Sequence, residues 1–322
     1  LEIDMATADD LLNKDMFRDR TLRSLFRTRI KESLVYALLI GCSLFSILIT
    51  ASIVILLINQ SPHFFEFPGV TVREFVTGTK WQPSLGGEPH FGVIPLLMGT
   101  LLVSVVAMCV ALPFGLVSAI FLSEYAPNGL RSVVKPILEV LAGVPTVVYG
   151  FFALTVITPF LRDVLGLRID FYNALSAGIA VGILCLPIVC SLAEDSLRAV
   201  PQNLRDAAYG LGGTRFDVST KVVLPAALSG IISAALLAVS RAVGETMIVA
   251  LAAGGIAQFT ANPLRSVQTI TAYITQVFNG EVDNFGVTYY SIYAVATTLF
   301  LMTLTLTVIG HIIRKRFQEA YE

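Results

Sequence analysis

Charge is what this chain has least of. Only 14% of its 322 residues are Asp, Glu, Lys or Arg, whereas soluble domains carry about 25%. Such a chain belongs mostly in lipid, as its 55% hydrophobic residues and mean hydropathy of +0.76 also require. The net charge of −1 gives no reason to expect nucleic acid as a partner. Histidine is equally scarce: His63, His90 and His311 stand far apart and form no metal cluster. The four cysteines, Cys42, Cys109, Cys185 and Cys190, sit inside apolar runs without a CxxC or zinc spacing. They are expected as small buried apolar residues rather than ligands. No GxxxxGK[ST] segment occurs, so the chain cannot bind ATP through a P-loop, and the Gly210-x-Gly212-Gly213 cluster lacks a preceding strand. No nucleophile–base constellation is present either. The chain is expected to have no catalytic site, metal or cofactor of its own.

What the chain does have is long apolar runs. A spanning helix needs about 20 apolar residues, and six segments qualify: roughly 33–58, 93–122, 136–161, 174–193, 226–256 and 287–313. The second and fifth exceed the need, with Pro95 and Pro113 in one and Gly244, Gly254 and Gly255 in the other. Tilt, kinks or membrane-depth re-entry are expected there. The first run begins only at Ser33 and is too long for a cleavable signal. The chain begins with Leu1 rather than Met, which leaves its native start open.

Lys and Arg set the orientation. With the amino terminus inside, the inner segments hold 16 of the 22 cations, the outer loops hold 5, and Arg241 lies within the fifth span. The positive-inside rule then puts both termini and the 194–225 loop in the cytoplasm. Residues 14–31 place Phe17, Leu22, Leu25, Phe26 and Ile30 among Arg18, Arg20, Arg23, Arg27, Arg29 and Lys31. That pattern suits a basic helix lying on the inner leaflet, and equally an ordinary positive flank. The outer loop, 59–92, holds Phe64, Phe65, Phe67, Phe75 and Trp81. These suit either an interface belt or a folded cap that meets an external partner.

The most informative stretch is the polar loop before the fifth span. Pro201 suits the first turn of a helix, which should run to about Leu211 and stop at Gly212-Gly213. Thr214 can cap a second helix, with Asp217 at capping-box spacing, and Pro225 marks the entry to the span. Small Ala207 and Ala208 let another surface approach closely, while Arg205, Asp206, Arg215 and Asp217 are placed to pair at the rim. The same stretch reads Asp206-Ala207-Ala208, three residues, Gly212, nine residues, then Val222-Val223-Leu224-Pro225. It resembles the EAA loop of ABC-importer permeases, Glu-Ala-Ala-x3-Gly-x9-Ile-x-Leu-Pro, with Asp for the first Glu and Val for Ile. The resemblance implies a cytoplasmic elbow that docks into a separate ATPase through Arg205, Asp206, Ala207, Ala208, Gly212, Arg215, Leu224 and Pro225. A plain solvated loop is the alternative.

Arg241 and Glu245 are charged residues inside a span. They lie roughly 22–28 Å past Ala226 at 1.5 Å per residue, where an ionised group costs about 2.5–3.5 kcal/mol or more. Four residues apart, they can pair on one helix face and merely fix packing. The sharper reading is that Arg241 meets an anionic substrate, or that Glu245 holds it away until a conformational change. A guanidinium suits an oxyanion because its planar fork donates two parallel hydrogen bonds. Glu139 is the other carboxylate within a predicted span. It either pairs with Lys135 and snorkels, or helps to gate Arg241. Thr100, Thr146, Tyr149 and Thr246 offer hydroxyls to a path, although such groups more often bond neighbouring helices.

Several of these segments narrow the resemblance. Arg241-Ala242-Val243-Gly244-Glu245-Thr246-Met247 is similar to the Arg-Ala-x-Gly-Glu-Thr segment of phosphate-specific transport permeases. So are the segments 91–100 (FGVIPLLMGT), Leu122-Ser123-Glu124-Tyr125-Ala126 and 135–150 (KPILEVLAGVPTVVYG). The likeness covers about residues 64–316, and the long outer loop with Trp81-Gln82-Pro83 points to the C-type subunit. It implies an all-α integral membrane protein with six transmembrane helices and the type I ABC importer permease fold. The expected organisation is a basic cytoplasmic segment (1–32), a first span (33–58), an outer loop (59–92), a permease core with its coupling loop (93–316) and a cytoplasmic tail (317–322). The implied partners are a second permease, an ATP-binding cassette ATPase dimer that binds the ATP, an extracellular phosphate-binding protein and the lipid bilayer. The implied location is a bacterial or archaeal plasma membrane. Two rivals stay open: another oxyanion as cargo, sulfate or molybdate, and an ion-coupled secondary transporter or channel. The second rival often shows inverted repeats, which are not seen here.

Overall fold

The computed structural model describes residues 2–83, 89–280 and 286–316, with side chains from residue 32 onward. The basic side chains of 14–31 and the expected tail at 317–322 therefore lie outside the described residues. The chain divides into two compact units, Leu1–Asn59 and Gln60–Glu322. The described residues of the first belong to α1 (Glu2–Phe64), whose apolar stretch forms a candidate span at Glu32–Phe64.

The second unit opens with α2 (Val72–Thr77) and a two-stranded ribbon, β1 (Trp81–Gln82) and β2 (His90–Phe91), that pairs Trp81 with Phe91. α3 (Ile94–Ile120) runs into a π-helical turn, Phe121–Tyr125. α4 (Asn128–Ala142) and α5 (Thr146–Phe152) follow, α5 continuing through π-helical turns to Val164. Next come α6 (Ala174–Arg198), α7 (Gln202–Gly210), α8 (Arg215–Val218) and α9 (Leu224–Ala226). The chain closes with α10 (Leu228–Val243), α11 (Met247–Ala252), α12 (Ile270–Asn279) and α13 (Val287–Arg316).

Lipid supplies no hydrophobic drive between helices, so packing rests on close approach of small residues. α3 and α6 show this best. A Cβ added at Gly178 or Gly182 of α6 would meet Val106 or Val110 at 2.5 and 2.7 Å. The main core lies among α3, α5, α6, α10 and α11, around Val103, Ala107, Val181, Ile248 and Val249. The aromatics of 59–92 form a packed cluster. Phe64, Phe75, Trp81 and Phe91 are buried together, edge to face, and Trp81 meets Tyr273 of α12.

Among the described residues, five helices are long and apolar enough to span a membrane, and a bent pair, Arg215–Ala226 with Leu228–Val243 at 69°, could supply a sixth. Three expectations need correction. The third span starts at Thr146, not near 136: α4 is a separate helix, because Gly143 ends it and Pro145 keeps Val144 out of the helical region. The fifth run stops at Val243 rather than continuing to 256, and the chain restarts as the short α11. The segment read as a plain outer loop, 257–286, contains the largely buried α12. Cys185 and Cys190 are buried as expected, whereas Cys42 and Cys109 are exposed.

Candidate functional site

Two places carry chemistry, the elbow between α6 and α10 and the break between α10 and α11. At the elbow, Pro201 precedes the first residue of α7, and Gly212 turns the chain at φ +85°, a conformation that only glycine adopts cheaply. Its neighbours close the helix end: Gly212 N–H donates to Tyr209 O at 2.9 Å and Gly213 N–H to Ala208 O at 3.1 Å. The expected capping box is present, since Asp217 N–H donates to Thr214 Oγ1 at 3.2 Å and Thr214 N–H to Asp217 Oδ2 at 3.3 Å. Lys221 donates to Asp217 at 2.6 Å, and with Thr214 it holds the half-buried Asp217 carboxyl down at about 2.

Asp206, Ala207, Gly212, Arg215 and Pro225 are exposed, with Ala208 and Leu224 half-buried. Asp206 accepts from Gln202 Nε2 at 3.1 Å. Arg205 is not at the rim. Its guanidinium is buried, donating to Leu197 O at 2.8 Å, to Val200 O and to Glu124 Oε1 at 3.0 Å. Carbonyls at and just past the end of α6 thus gain side-chain donors where regular helical bonding stops. Sequence reasoning missed the apolar tip of the elbow: Leu211 is 91% exposed and Phe216 67%. The signal was available, because large apolar side chains in a polar loop serve no local purpose.

Lys135 does not pair with Glu139. Its ammonium bonds Asp195 at 2.9 Å and Glu194 at 3.0 Å, and these contacts raise its pKa, the Asp195 bond most. Glu194 is fully buried and also meets Arg131 and Arg198, a cluster that the sequence did not suggest. Glu139 is left exposed on α4 with no carboxylate contact to Arg241, because the helix carrying it is not part of a span.

At the second place, Arg241 Nη1 donates to Glu245 Oε2 at 2.8 Å. Glu245 Oε1 accepts from the N–H groups of Met247 at 3.2 Å and Ile248 at 3.4 Å. One carboxylate thus holds the last turn of α10 and caps the first turn of α11. Opposite charges meet the two helix ends in the favourable sense: the cation lies at a C-terminus and the anion at an N-terminus. Thr271 of α12 donates to the Glu245 carbonyl at 2.7 Å. The Glu245 side chain is 2% exposed but that of Arg241 39%, so the arginine is only partly covered.

The hydroxyl candidates separate. Thr246, next to the pair, donates to Gly244 O at 3.3 Å and is half-buried. Thr100 is fully engaged, donating to Leu96 O at 2.8 Å and accepting from Ile270 N–H at 3.0 Å. Tyr149 donates to Leu141 O at 2.8 Å and so ties the α4–α5 corner, beside half-buried Thr146. Among the described residues no group of His, Cys, Asp and Glu is arranged to hold a metal ion.

Against known families, residues 111–320 match the model of the binding-protein-dependent transport system inner membrane component, which takes in elbow and charge pair alike. The chain belongs to this family of transport permeases. Its permease relatives include the probable ABC transporter permease protein YqgH of Bacillus subtilis, 34% identical over 67% of this chain and 71% of the relative. The phosphate transport system permease protein PstC of Xylella fastidiosa is 31% identical over 76% of this chain and 79% of its own. Among solved structures, a bacterial ABC transporter involved in the import of alginate superposes with a TM-score of 0.64 at 16% identity, over 92% of this chain and 99% of that one. The methionine ABC transporter MetNI, inward facing, gives 0.53 at 18% identity over 71% and 95%. These establish the type I ABC importer permease fold in a multi-pass inner-membrane protein. A permease of this family works with ATPase and substrate-binding partners and a second permease.

Proposed function

We propose that this permease carries inorganic phosphate inward as the C-type subunit of an ATP-driven importer. It encloses the path with a second permease, receives phosphate from an external binding protein and takes its power stroke from an ATPase dimer that docks at the elbow. Both termini and the elbow face the cytoplasm. The organisation expected from the sequence applies, with 59–92 as the outer cap and 93–316 as the permease core. The observation that carries the cargo reading is the half-open Arg241 side chain, paired with a buried Glu245. A partly exposed guanidinium with donors beyond the one given to Glu245 fits a tetrahedral oxyanion. The names of relatives such as PstC support phosphate among the oxyanions. ATPase closure tilts the elbow and the spans attached to it as rigid bodies.

The test is uptake of labelled phosphate by the assembled transporter, with sulfate and molybdate as competitors. Uptake resistant to excess sulfate and molybdate is expected. Equal competition by sulfate or molybdate would reassign the cargo.

A further inference from the structure

Glu124 and Thr100 belong to one continuous helical run, Ile94–Tyr125, yet each bonds a different part of the bundle. At the elbow end, Glu124 receives the guanidinium of Arg205 from α7 at 3.0 Å. At the far end, some 36 Å away at 1.5 Å per residue, Thr100 Oγ1 accepts the N–H of Ile270, the first residue of α12, at 3.0 Å. The next residue of α12, Thr271, donates to the Glu245 carbonyl at 2.7 Å. Glu245 holds Arg241 at 2.8 Å. Four polar contacts therefore join the elbow to the charge pair through α3 and α12.

The three contacts that lead up to the charge pair are largely protected from water. Thr100 and Glu245 are 2% exposed, Thr271 is 7%, and the Arg205 and Glu124 side chains are 10% and 8%. A shielded hydrogen bond has no water to exchange with, so its partners move together or lose it outright. The run between the two ends is also closely packed. Gly178 and Gly182 seat α6 against Val106 and Val110, and Gly115 lies against Val189 beside Pro113, the one residue inside α3 that interrupts its hydrogen bonding.

We propose that α3 is the rod that carries elbow displacement to the charge pair, with Glu124 and Thr100 as its two positioning residues. Displacing α7 pulls the inner end of α3 through Glu124, and Thr100 passes the shift to the N-terminus of α12. Thr271 then moves the Glu245 backbone, which decides whether the carboxylate keeps Arg241. The inference rests on the transport reading for its purpose, but its mechanical content needs no cargo.

The experiment uses the complete transporter in proteoliposomes, with both permeases and the ATPase subunits. Leu237→Cys, one turn before Arg241, is introduced together with Cys42→Ser and Cys109→Ser. Its reaction rate with a soluble maleimide is measured with and without a non-hydrolysable ATP analogue. We expect nucleotide to change the rate by about tenfold, and Glu124→Gln or Thr100→Val to cut that change to about twofold or less. ATP hydrolysis without binding protein should stay within about twofold of the parent, since neither residue contacts nucleotide. The double variant should be no worse than either single one, as links in series require. A parental response retained in both single variants, or losses that multiply in the double variant, overturns the rod. If Glu124→Gln lowers the amount of assembled complex, Thr100→Val, far from the ATPase side, decides alone. Phosphate uptake measured in parallel keeps the two readings apart: an intact nucleotide response without phosphate uptake sinks the cargo assignment and leaves the rod standing.

Discussion

Two Arg–Glu pairs in this chain have nearly the same bond and opposite surroundings. Arg205 and Glu124 meet at 3.0 Å with both side chains about a tenth exposed or less, and further guanidinium donors go to carbonyls. Arg241 and Glu245 meet at 2.8 Å with the Glu245 side chain buried and that of Arg241 39% exposed. A pair buried on both sides, with its remaining donors satisfied, acts as a fastening, because breaking it strands a charge. A pair with one open member keeps the charge oriented while leaving donors free for a visitor. The sequence spacing points the other way for Arg205, since a position in a polar loop suggests a rim contact.

The largest effect should come from treating the two arginines alike. Arg241→Gln is expected to reduce phosphate uptake at least about tenfold while the complex assembles at normal levels, as loss of a transport group rather than a fastening implies. Arg205→Gln should instead lower the amount of folded complex, by roughly 3 kcal/mol of lost stability from the stranded Glu124. Quantifying purified complex beside uptake separates them, and matching phenotypes would break the comparison. Next in size is Gly212→Pro. Proline holds φ near −65°, which the +85° at this turn forbids, so ATP hydrolysis coupled to transport should fail while membrane insertion persists. Normal coupling in that variant would remove the elbow from the mechanism. The smallest effect is Thr214→Ala, which deletes a cap worth about 1 kcal/mol and should show as a slight loss of thermal stability. The pH dependence sharpens this. Asp217 is depressed to about 2, so its contribution is complete above the ordinary carboxylate range and fades only as pH falls towards 2. Coupling that changed between pH 5 and 8 would need another group.

The elbow was legible in outline. The helix break at Gly212, the Thr214–Asp217 box and the adjoining span follow from local rules of backbone conformation and spacing. The Arg241–Glu245 contact was legible for the same reason, since four residues along a helix bring side chains together. Legibility ended where apolar length stood in for structure. A run such as 136–161 reads as one span by hydropathy, yet Gly143 and Pro145 divide it, and that puts Glu139 on a separate helix.

Sequence alone determined a multi-span helical protein with a bent polar elbow and a charged pair in an apolar run, because hydropathy, glycine and capping act over a few residues. The tertiary structure decided which charges are fastenings. Lys135 reaches Glu194 across 59 positions and Arg205 reaches Glu124 across 81. A buried charge takes whichever partner the packing of distant helices delivers, and no local pattern records that choice.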